Sequence, residues 1–180
     1  MLIFITGRPG IGKSTVCMKV MELLKQSNFK IGGVICPEVR VKGRRVGFKI
    51  IDLLNSREGW LAHIDFKTGI RIGKYQVNLN DLNEIGVNAI LNAIKEADVI
   101  VIDEIGPMEL KSLFFKEAVY ESFKSGKPVI AVLHWRLGRS FIRNLRNLNF
   151  KIYEVTFSNR DYLHETIFKG LMKYFTGKSS

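Results

Sequence analysis

The sequence has few cysteines and lacks a long apolar run. Cys17 and Cys36 are the only cysteines among 180 residues. Neither lies in a C-x-x-C pair or at a Cys/His spacing, which excludes a disulfide framework and a zinc motif. So few cysteines indicate a reducing compartment, and we expect both thiols in the core. No apolar run has the length of a membrane span, and the apolar start is too short and lacks the basic leader of a secretory signal. We therefore expect a cytoplasmic protein that does not enter a membrane.

Acidic residues are scarce relative to basic ones. The chain has 17 Asp and Glu against 28 Lys and Arg, and its net charge is +11. This excess is compatible with a nucleic-acid partner, with an anionic substrate or with a lysine-rich surface that has no partner. The lysines are scattered and no RNA-binding aromatic motif accompanies them, so charge alone does not decide among the three.

The composition is that of an ordinary globular protein without internal repeats. Hydrophobic residues make up 46% of the chain and charged residues 25%, which excludes the disordered and fibrous classes. The length suits one domain with a full core. We expect this domain to cover residues 1–175 and residues 176–180 to form a disordered tail.

The most informative motif lies at the start of the chain. An apolar, strand-like run over residues 2–5 breaks into T-G-R-P-G-I-G-K-S-T over residues 6–15, and a helical pattern follows. This stretch fits G-x-x-x-x-G-K-[ST] at each fixed position. A glycine-rich turn that opens a helix directs backbone N–H groups and the positive helix end at one spot, where phosphate binds. The predicted nucleotide-binding residues are Gly7, Arg8, Pro9, Gly10, Ile11, Gly12, Lys13, Ser14 and Thr15.

Each motif residue has a distinct expected role. Gly7 allows a sharp turn after the strand, while Gly10 and Gly12 lack side chains that would keep the backbone from phosphate oxygens. Lys13 is expected to reach the β- and γ-phosphates, and the Ser14 hydroxyl to coordinate Mg²⁺.

Strand-like and helical segments alternate along the rest of the chain, which predicts an α/β domain with a mainly parallel sheet covered by helices on both faces. Residues 38–64 instead alternate as antiparallel strands, which predicts a small inserted hairpin region. Residues 65–80 form the least regular stretch. The other predicted helices cover residues 13–26, 81–95, 138–147 and 160–175, and the predicted strands residues 31–36, 99–102, 128–133 and 150–156.

Two carboxylates follow the most apolar strand. Asp103 and Glu104 end the run V-I-V-I-D-E, and side chains at the carboxyl end of a parallel strand face the ligand crevice. Asp103 is therefore expected to hold Mg²⁺, and Glu104 to orient and polarise the attacking water. His134 follows another strand and is expected at the same edge, either bonded to the γ-phosphate or the water, or purely structural.

Several arginines are candidates for contacts with the nucleotide. Arg8, Arg136 and Arg139 are candidates to stabilise the transferring phosphoryl group, although a solvated basic helix also explains the last two. Arg160 has two interpretations. In the first, its guanidinium group stacks on the base, a contact that any base can make. In the second, it belongs with Asn159 to a helix-capping segment.

Two runs carry a family resemblance: D-E-I-G-P-M-E-L over residues 103–110 and G-R-P-G-I-G-K-S over residues 7–14. With them the chain resembles the small nucleoside-triphosphatase family first described from thermophiles, also known as cancer-related nucleoside triphosphatases. Shorter segments at residues 38–40, 46–48, 51–53, 73–75 and 159–161 are similar to that family too, so the resemblance extends from residue 1 to about residue 168. It implies a single P-loop domain with a RecA-like core that hydrolyses nucleoside triphosphates with little base preference.

The resemblance also implies a second nucleotide-contacting segment. This segment comprises Val99, Ile100, Val101, Ile102, Asp103, Glu104, Ile105 and Gly106. One departure is visible, since the family pattern leads us to expect His-Arg-Arg after the fourth core strand and this chain has H-W-R at residues 134–136.

Three functions compatible with a phosphate loop remain: a nucleoside triphosphatase, a kinase for a nucleoside, nucleotide or other small metabolite, and a nucleic-acid-dependent or partner-regulated ATPase. Glu104 beside Asp103 favours hydrolysis because it has a water to activate, whereas residues 65–80 are a candidate kinase lid. The third function depends on the net charge alone. We therefore predict a Mg²⁺-dependent triphosphatase acting on ATP, GTP, CTP and UTP, with Lys13, Glu104 and His134 in catalysis; the oligomeric state is left undetermined.

Overall fold

The described part of the chain, residues 1–137, 141, 145 and 148–177 of a computed structural model, forms ten strands and several helices. The strands are β1 (Leu2–Thr6), β2 (Ile31–Ile35), β3 (Glu38–Val41), β4 (Arg44–Asp52), β5 (Glu58–His63), β6 (Ile70–Ile72), β7 (Tyr75–Val77), β8 (Val99–Ile105), β9 (Val129–Leu133) and β10 (Phe150–Glu154). The α-helices are α1 (Lys13–Gln26), α2 (Leu79–Asp81), α3 (Asn88–Glu96), α4 (Leu113–Lys124) and α5 (Leu163–Gly177). A π-helical segment (Leu82–Val87) joins α2 to α3, and a 3₁₀ turn (Glu109–Lys111) precedes α4.

Five strands form a parallel half-sheet in the order β10-β1-β9-β8-β2. Their side chains alternate between two cores. Phe4 of β1 and Ile100 of β8 lie in the core that α3 and α4 cover, whereas Ile3 and Val101 lie in the core that α1 and α5 cover. The predicted parallel sheet with helices on both faces is confirmed, and the carboxyl ends of all five strands share one edge.

The remaining strands extend the same sheet in antiparallel fashion. Strand β4 pairs with β2, with Ile51 opposite Ile35, and β5, β7 and β6 follow it while β3 pairs with the outer half of β4. The predicted β3–β4 hairpin is present. It is continuous with the core sheet, because β4 pairs with the edge of β2.

Three other segments differ from prediction. Residues 65–80 contain the β6–β7 hairpin, whose three-residue strands are too short for a visible alternation and are ordered by pairing to β5. Helix α4 was missing from the predicted elements although Ser112 caps it, accepting a hydrogen bond from the Phe115 amide at 3.0 Å. Helix α5 begins at Leu163, three residues later than expected, and extends through Gly177.

Most of the predicted helix at residues 138–147, including Arg139, lies outside the described residues, as do residues 178–180 of the predicted tail. Within the described ranges, none of the helices is both long enough and apolar enough to cross a membrane.

Candidate active site

The loop between β1 and α1 has the conformation that its glycines predict. Gly10 and Gly12 have φ angles of 74° and 111°, and a Cβ atom on either would meet only open space, so the backbone conformation itself requires glycine. At Gly7 the restriction is also steric, since a Cβ atom would lie 2.8 Å from the Val155 carbonyl oxygen. Gly12 precedes the first residue of α1 and has no side chain to cap it. The first-turn amides therefore remain available for an anion.

Lys13 is the buried cation of this edge. The residue is 8% exposed, and its ammonium group donates to the Arg8 carbonyl oxygen at 3.4 Å. The charge of Lys13 acts on the titration of Asp103, Glu104 and His134, which places the four groups within electrostatic reach of one another.

Ser14 and Asp103 meet across the crevice. The Ser14 hydroxyl donates to Oδ1 of Asp103 at 3.2 Å, although 89 residues separate the two in sequence. Burial raises the pKa of Asp103 to about 6, against the opposing effects of the Ser14 hydrogen bond and the Lys13 charge. Hydroxyl and carboxylate oxygens are ligands that Mg²⁺ accepts, with its remaining positions taken by phosphates and water. The predicted Ser14–Asp103 pair therefore fits a Mg²⁺ ion.

A β-bulge in β8 sets the position of Glu104. In the pairing of β8 with β9, Asp103 lies opposite Val132 and Ile105 lies opposite Leu133, so Glu104 is the extra residue between them. Burial raises its pKa to about 7, with Lys13 lowering and Asp103 raising it. A carboxyl group whose pKa lies near neutral pH is suited to accept a proton from water.

His134 follows β9, the strand that lies between β1 and β8. Its backbone amide donates to the Ile105 carbonyl oxygen at 3.1 Å, and its Nδ1 accepts from the Arg136 amide at 3.4 Å. The ring proton is thereby assigned to Nε2. Burial lowers the pKa of His134, and the charges of Lys13 and Arg136 act in the same direction. The imidazole is therefore neutral at neutral pH, and Nε2–H is its donor.

The remaining predicted residues divide into two groups. Val99, Ile100, Val101, Ile102 and Ile105 have no exposed surface. Their side chains pack in the core and hold Asp103 and Glu104 in place, and the contact of this segment with a nucleotide stays a prediction. Arg8 and Pro9 are exposed on the loop, and Thr15 is exposed in the first turn of α1.

Arg160 lies beyond β10, away from the carboxylates, in a turn where its guanidinium group covers Phe157 with 5.2 Å between guanidinium carbon and ring centroid. The capping interpretation of Asn159 is corrected, because its side chain closes this turn instead. Oδ1 accepts from the Thr156 amide at 2.8 Å, and Nδ2 donates to the Glu154 carbonyl oxygen at 2.9 Å.

Sequence reasoning missed Glu109, a buried carboxyl group beside Glu104. It is 4% exposed, and burial raises its pKa to about 8, with the negative charge of Glu104 adding to the effect. A Cβ atom on Gly106 would lie 2.7 Å from Oε2 of Glu109 and 3.1 Å from Oε1 of Glu104, so the glycine leaves room for both groups. The signal was present, since Glu109 belongs to the D-E-I-G-P-M-E run, where no role was assigned to it.

Cys36 also lies nearer the site than predicted. Its backbone amide donates to the Asp103 carbonyl oxygen at 2.6 Å. Burial raises the pKa of its thiol, and the charges of Glu109, Asp103 and Glu104 raise it further. The thiol therefore stays protonated and unreactive at neutral pH. Cys17, in contrast, is a core residue as predicted.

In the parallel sheet, β9 lies between β1 and β8. A phosphate loop follows β1, and two carboxylates lie at the end of β8. This arrangement defines a P-loop nucleoside-triphosphate-binding protein with a RecA-like core. The NTPase family model matches residues 2–168, and the chain belongs to that family. It is a nucleoside-triphosphatase, as the resemblance implied.

Similar proteins span nearly the whole chain. It is 50% identical over 163 residues to the nucleoside-triphosphatase THEP1 of Thermofilum pendens, covering 88% of each chain. It is 44% identical over 173 residues to that of Methanocaldococcus jannaschii, covering 96% of this chain and 98% of the relative. The solution structure of a human cancer-related nucleoside triphosphatase superposes with a TM-score of 0.80 at 31% identity, covering 95% of this chain and 97% of the human one.

Proposed function

We propose that the protein hydrolyses ATP, GTP, CTP and UTP to the diphosphate and inorganic phosphate in a Mg²⁺-dependent reaction with little preference among bases. One observation carries this proposal: Lys13, the Ser14–Asp103 pair and Glu104 converge at the carboxyl edge of β1 and β8, within electrostatic reach of one another. Positioning and electrostatics supply most of the catalysis of phosphoryl transfer, and this arrangement provides both.

The phosphate loop would bind the β- and γ-phosphates through the first-turn amides of α1 and the ammonium group of Lys13. Ser14 and Asp103 would hold Mg²⁺. When bound, that ion neutralises phosphate charge and fixes the geometry of the transferred group. Burial of Lys13 and Asp103 strengthens each of these interactions, because few competing waters reach them.

In the proposed step, Glu104 orients a water in line with the bond between the γ-phosphorus and its bridging oxygen. The water oxygen bonds to phosphorus as the bridging bond breaks, and the water proton passes to Glu104 and then to the phosphate product. Nε2–H of His134 donates to a γ-phosphate oxygen, and Lys13 stabilises the charge on the β–γ bridge. The diphosphate leaves with the electron pair of the broken bond.

The kinase alternative has less structural support than hydrolysis. It depended on residues 65–80 as a lid, and their β6–β7 hairpin pairs with β5, three strands beyond β8. The nucleic-acid-dependent alternative continues to depend on net charge alone, and it enters as an outcome of the test.

The test measures diphosphate formation and phosphate release from the four triphosphates with and without Mg²⁺. It compares wild type, Glu104→Gln and the surface control Glu117→Gln, each with and without nucleosides or RNA. We expect similar Mg²⁺-dependent release from all four substrates, lost in Glu104→Gln, retained in the control and indifferent to additives. Diphosphate formation that requires a nucleoside, with the phosphoryl group transferred to it and no phosphate released, would establish a kinase, and phosphate release that requires RNA would establish a nucleic-acid-dependent ATPase. Either result would overturn the proposal.

A further inference from the structure

The sheet order determines on which side of the phosphate loop a nucleoside must lie. Strands β9 and β8 are on one side of β1, and β10 is on the other. The proposed function directs the γ-phosphate towards Glu104 at the end of β8. The nucleoside then points away from β8, towards the turn that follows β10.

This turn, residues 155–162, adjoins the phosphate loop directly. The Val155 amide donates to the Thr6 carbonyl oxygen at 2.8 Å, and the Val155 carbonyl oxygen lies 2.8 Å from the position of a Cβ atom on Gly7. Among the residues that the structure describes, no element separates the two segments. A group held on the turn is thus next to the bound phosphates.

The turn is ordered by its own hydrogen bonds. Besides the two bonds of the Asn159 side chain, the Arg160 amide donates to the Thr156 carbonyl oxygen at 3.1 Å, and the hydroxyls of Thr156 and Ser158 lie 2.9 Å apart. A surface fixed before the ligand arrives loses little conformational entropy on binding.

The turn presents Phe157, the most exposed large hydrophobic residue that the structure describes, at 77% exposure. The Arg160 guanidinium group lies over its ring, while Arg160 itself remains 45% exposed at the side chain. An aromatic ring and a guanidinium plane are the two groups on which nucleobases stack. A phenylalanine this exposed has little packing role in the fold, since Val155 and Leu163 on either side of the turn supply the buried contacts.

We infer that Phe157 and Arg160 form a base-stacking platform, on which the purine or pyrimidine of a bound nucleoside triphosphate lies while its phosphates occupy the loop. This inference rests on the proposed function, and it adds the subsite that explains base tolerance. Every base presents a π-face, and stacking reads no hydrogen-bonding edge. Purines, with the larger face, bind more tightly than pyrimidines but turn over at similar rates.

The test compares Phe157→Ala with two controls. Phe157→Tyr retains the ring. Phe114→Ala removes another exposed phenylalanine, 64% exposed, at the start of α4, which covers the core opposite to that of α1 and α5. For each protein, equilibrium binding of ATP and CTP with Mg²⁺, KM and kcat are measured. Inorganic tripolyphosphate, which has no base, is the probe for the loop alone.

We expect Phe157→Ala to raise Kd and KM for ATP by roughly 5- to 150-fold, the range for loss of one base–aromatic stack, with a smaller rise for CTP and with kcat unchanged. Phe157→Tyr and Phe114→Ala should bind as wild type does, and tripolyphosphate should bind all four proteins equally. A spectroscopic arm uses Phe157→Trp. Its added fluorescence, relative to the wild-type background of Trp60 and Trp135, should be quenched by ATP and unaffected by tripolyphosphate.

The other possible results overturn the platform, the proposed function or both. Unchanged nucleotide affinity in Phe157→Ala, or equal weakening of tripolyphosphate, would overturn the platform, the latter by showing that Phe157 only supports the loop. If Phe157→Ala weakens nucleotide binding but the wild type releases no phosphate, the platform stands and the proposed function is overturned. A wild type that binds no nucleotide would overturn both.

Discussion

The two ends of the proposed nucleotide site differ in exposure. At the γ-phosphate end, Lys13 and Asp103 are each 8% exposed and Glu109 is 4% exposed, and burial raises the pKa of both acids. At the base end, Phe157 is 77% exposed and the turn that carries it is held by its own hydrogen bonds.

The difference follows from the tasks proposed for the two ends. Stabilising charge in a phosphoryl transfer requires groups that are fixed and shielded from water, because electrostatic interactions weaken in a high dielectric. Holding any of four bases requires only a flat surface of moderate affinity. Substitutions at the γ-phosphate end should therefore affect kcat and the pH dependence of stability, whereas those at the base end should affect KM.

The largest effect is expected for Glu104→Gln. The amide cannot accept the water proton, so kcat should fall by about 10²- to 10⁴-fold while nucleotide affinity stays near that of wild type. Single-turnover phosphate release together with equilibrium binding measures the two separately. Normal turnover in this mutant would show that Glu104 does not activate the water and would assign that role to His134.

The next largest effect is a pH-dependent gain in stability in Glu109→Gln. The folded-state pKa of about 8 exceeds the ordinary value of 4.5, so between these pH values the unfolded chain binds fewer protons at this group than the folded one. Its contribution to stability therefore falls as pH rises through that window. We expect the variant to match wild type near pH 5 and to exceed it near pH 9 by on the order of a few kcal/mol. Denaturant unfolding at both pH values measures this, and parallel pH profiles would show that Glu109 is not buried as described.

A smaller effect is expected for Gly106→Ala. Its Cβ atom would contact the carboxyl groups of both Glu109 and Glu104, and displacing Glu104 should lower kcat by about 10-fold with little change in KM. The matched control is Gly170→Ala in α5, where the nearest atom to the new Cβ lies at 3.8 Å. The control should keep full activity and gain about 0.5–1 kcal/mol of stability. Equal activity in the two variants would contradict the stated crowding around Glu104.

The smallest effect concerns the rim of the γ-phosphate end. Arg136 lowers the pKa of His134, so Arg136→Gln should raise that pKa towards its ordinary value and move protonation of His134 to higher pH. NMR titration of the histidine ring protons measures the shift, with His63 and His164 as internal references. An unchanged His134 titration would show that the two side chains do not interact.

The sequence predicted the local features of the site well. The phosphate loop was recognisable because its glycines and Lys13 act within one short segment, and the bounds of α1 were predicted to the residue. The β3–β4 hairpin was readable because its alternation and turn residues are also local.

Features formed by distant segments were predicted less well. The bulge at Glu104 exists only because β8 pairs with β9, and the β6–β7 hairpin only because β5 offers an edge. The proximity of Glu109 to Glu104 depends on the 3₁₀ turn that follows β8, and no periodicity in the sequence reports it.

By itself, the sequence determined the chemical groups of this protein and their order along the chain: a phosphate-binding loop, a strand ending in two carboxylates, and a family resemblance that includes both. The tertiary structure alone decided which groups face one another and how dry their surroundings are. It brings Ser14 within 3.2 Å of Asp103, buries Lys13 and Glu109, and leaves Phe157 exposed beside the loop. The physical reason is that strand order and burial are properties of long-range packing, whereas loop chemistry depends on neighbours in sequence.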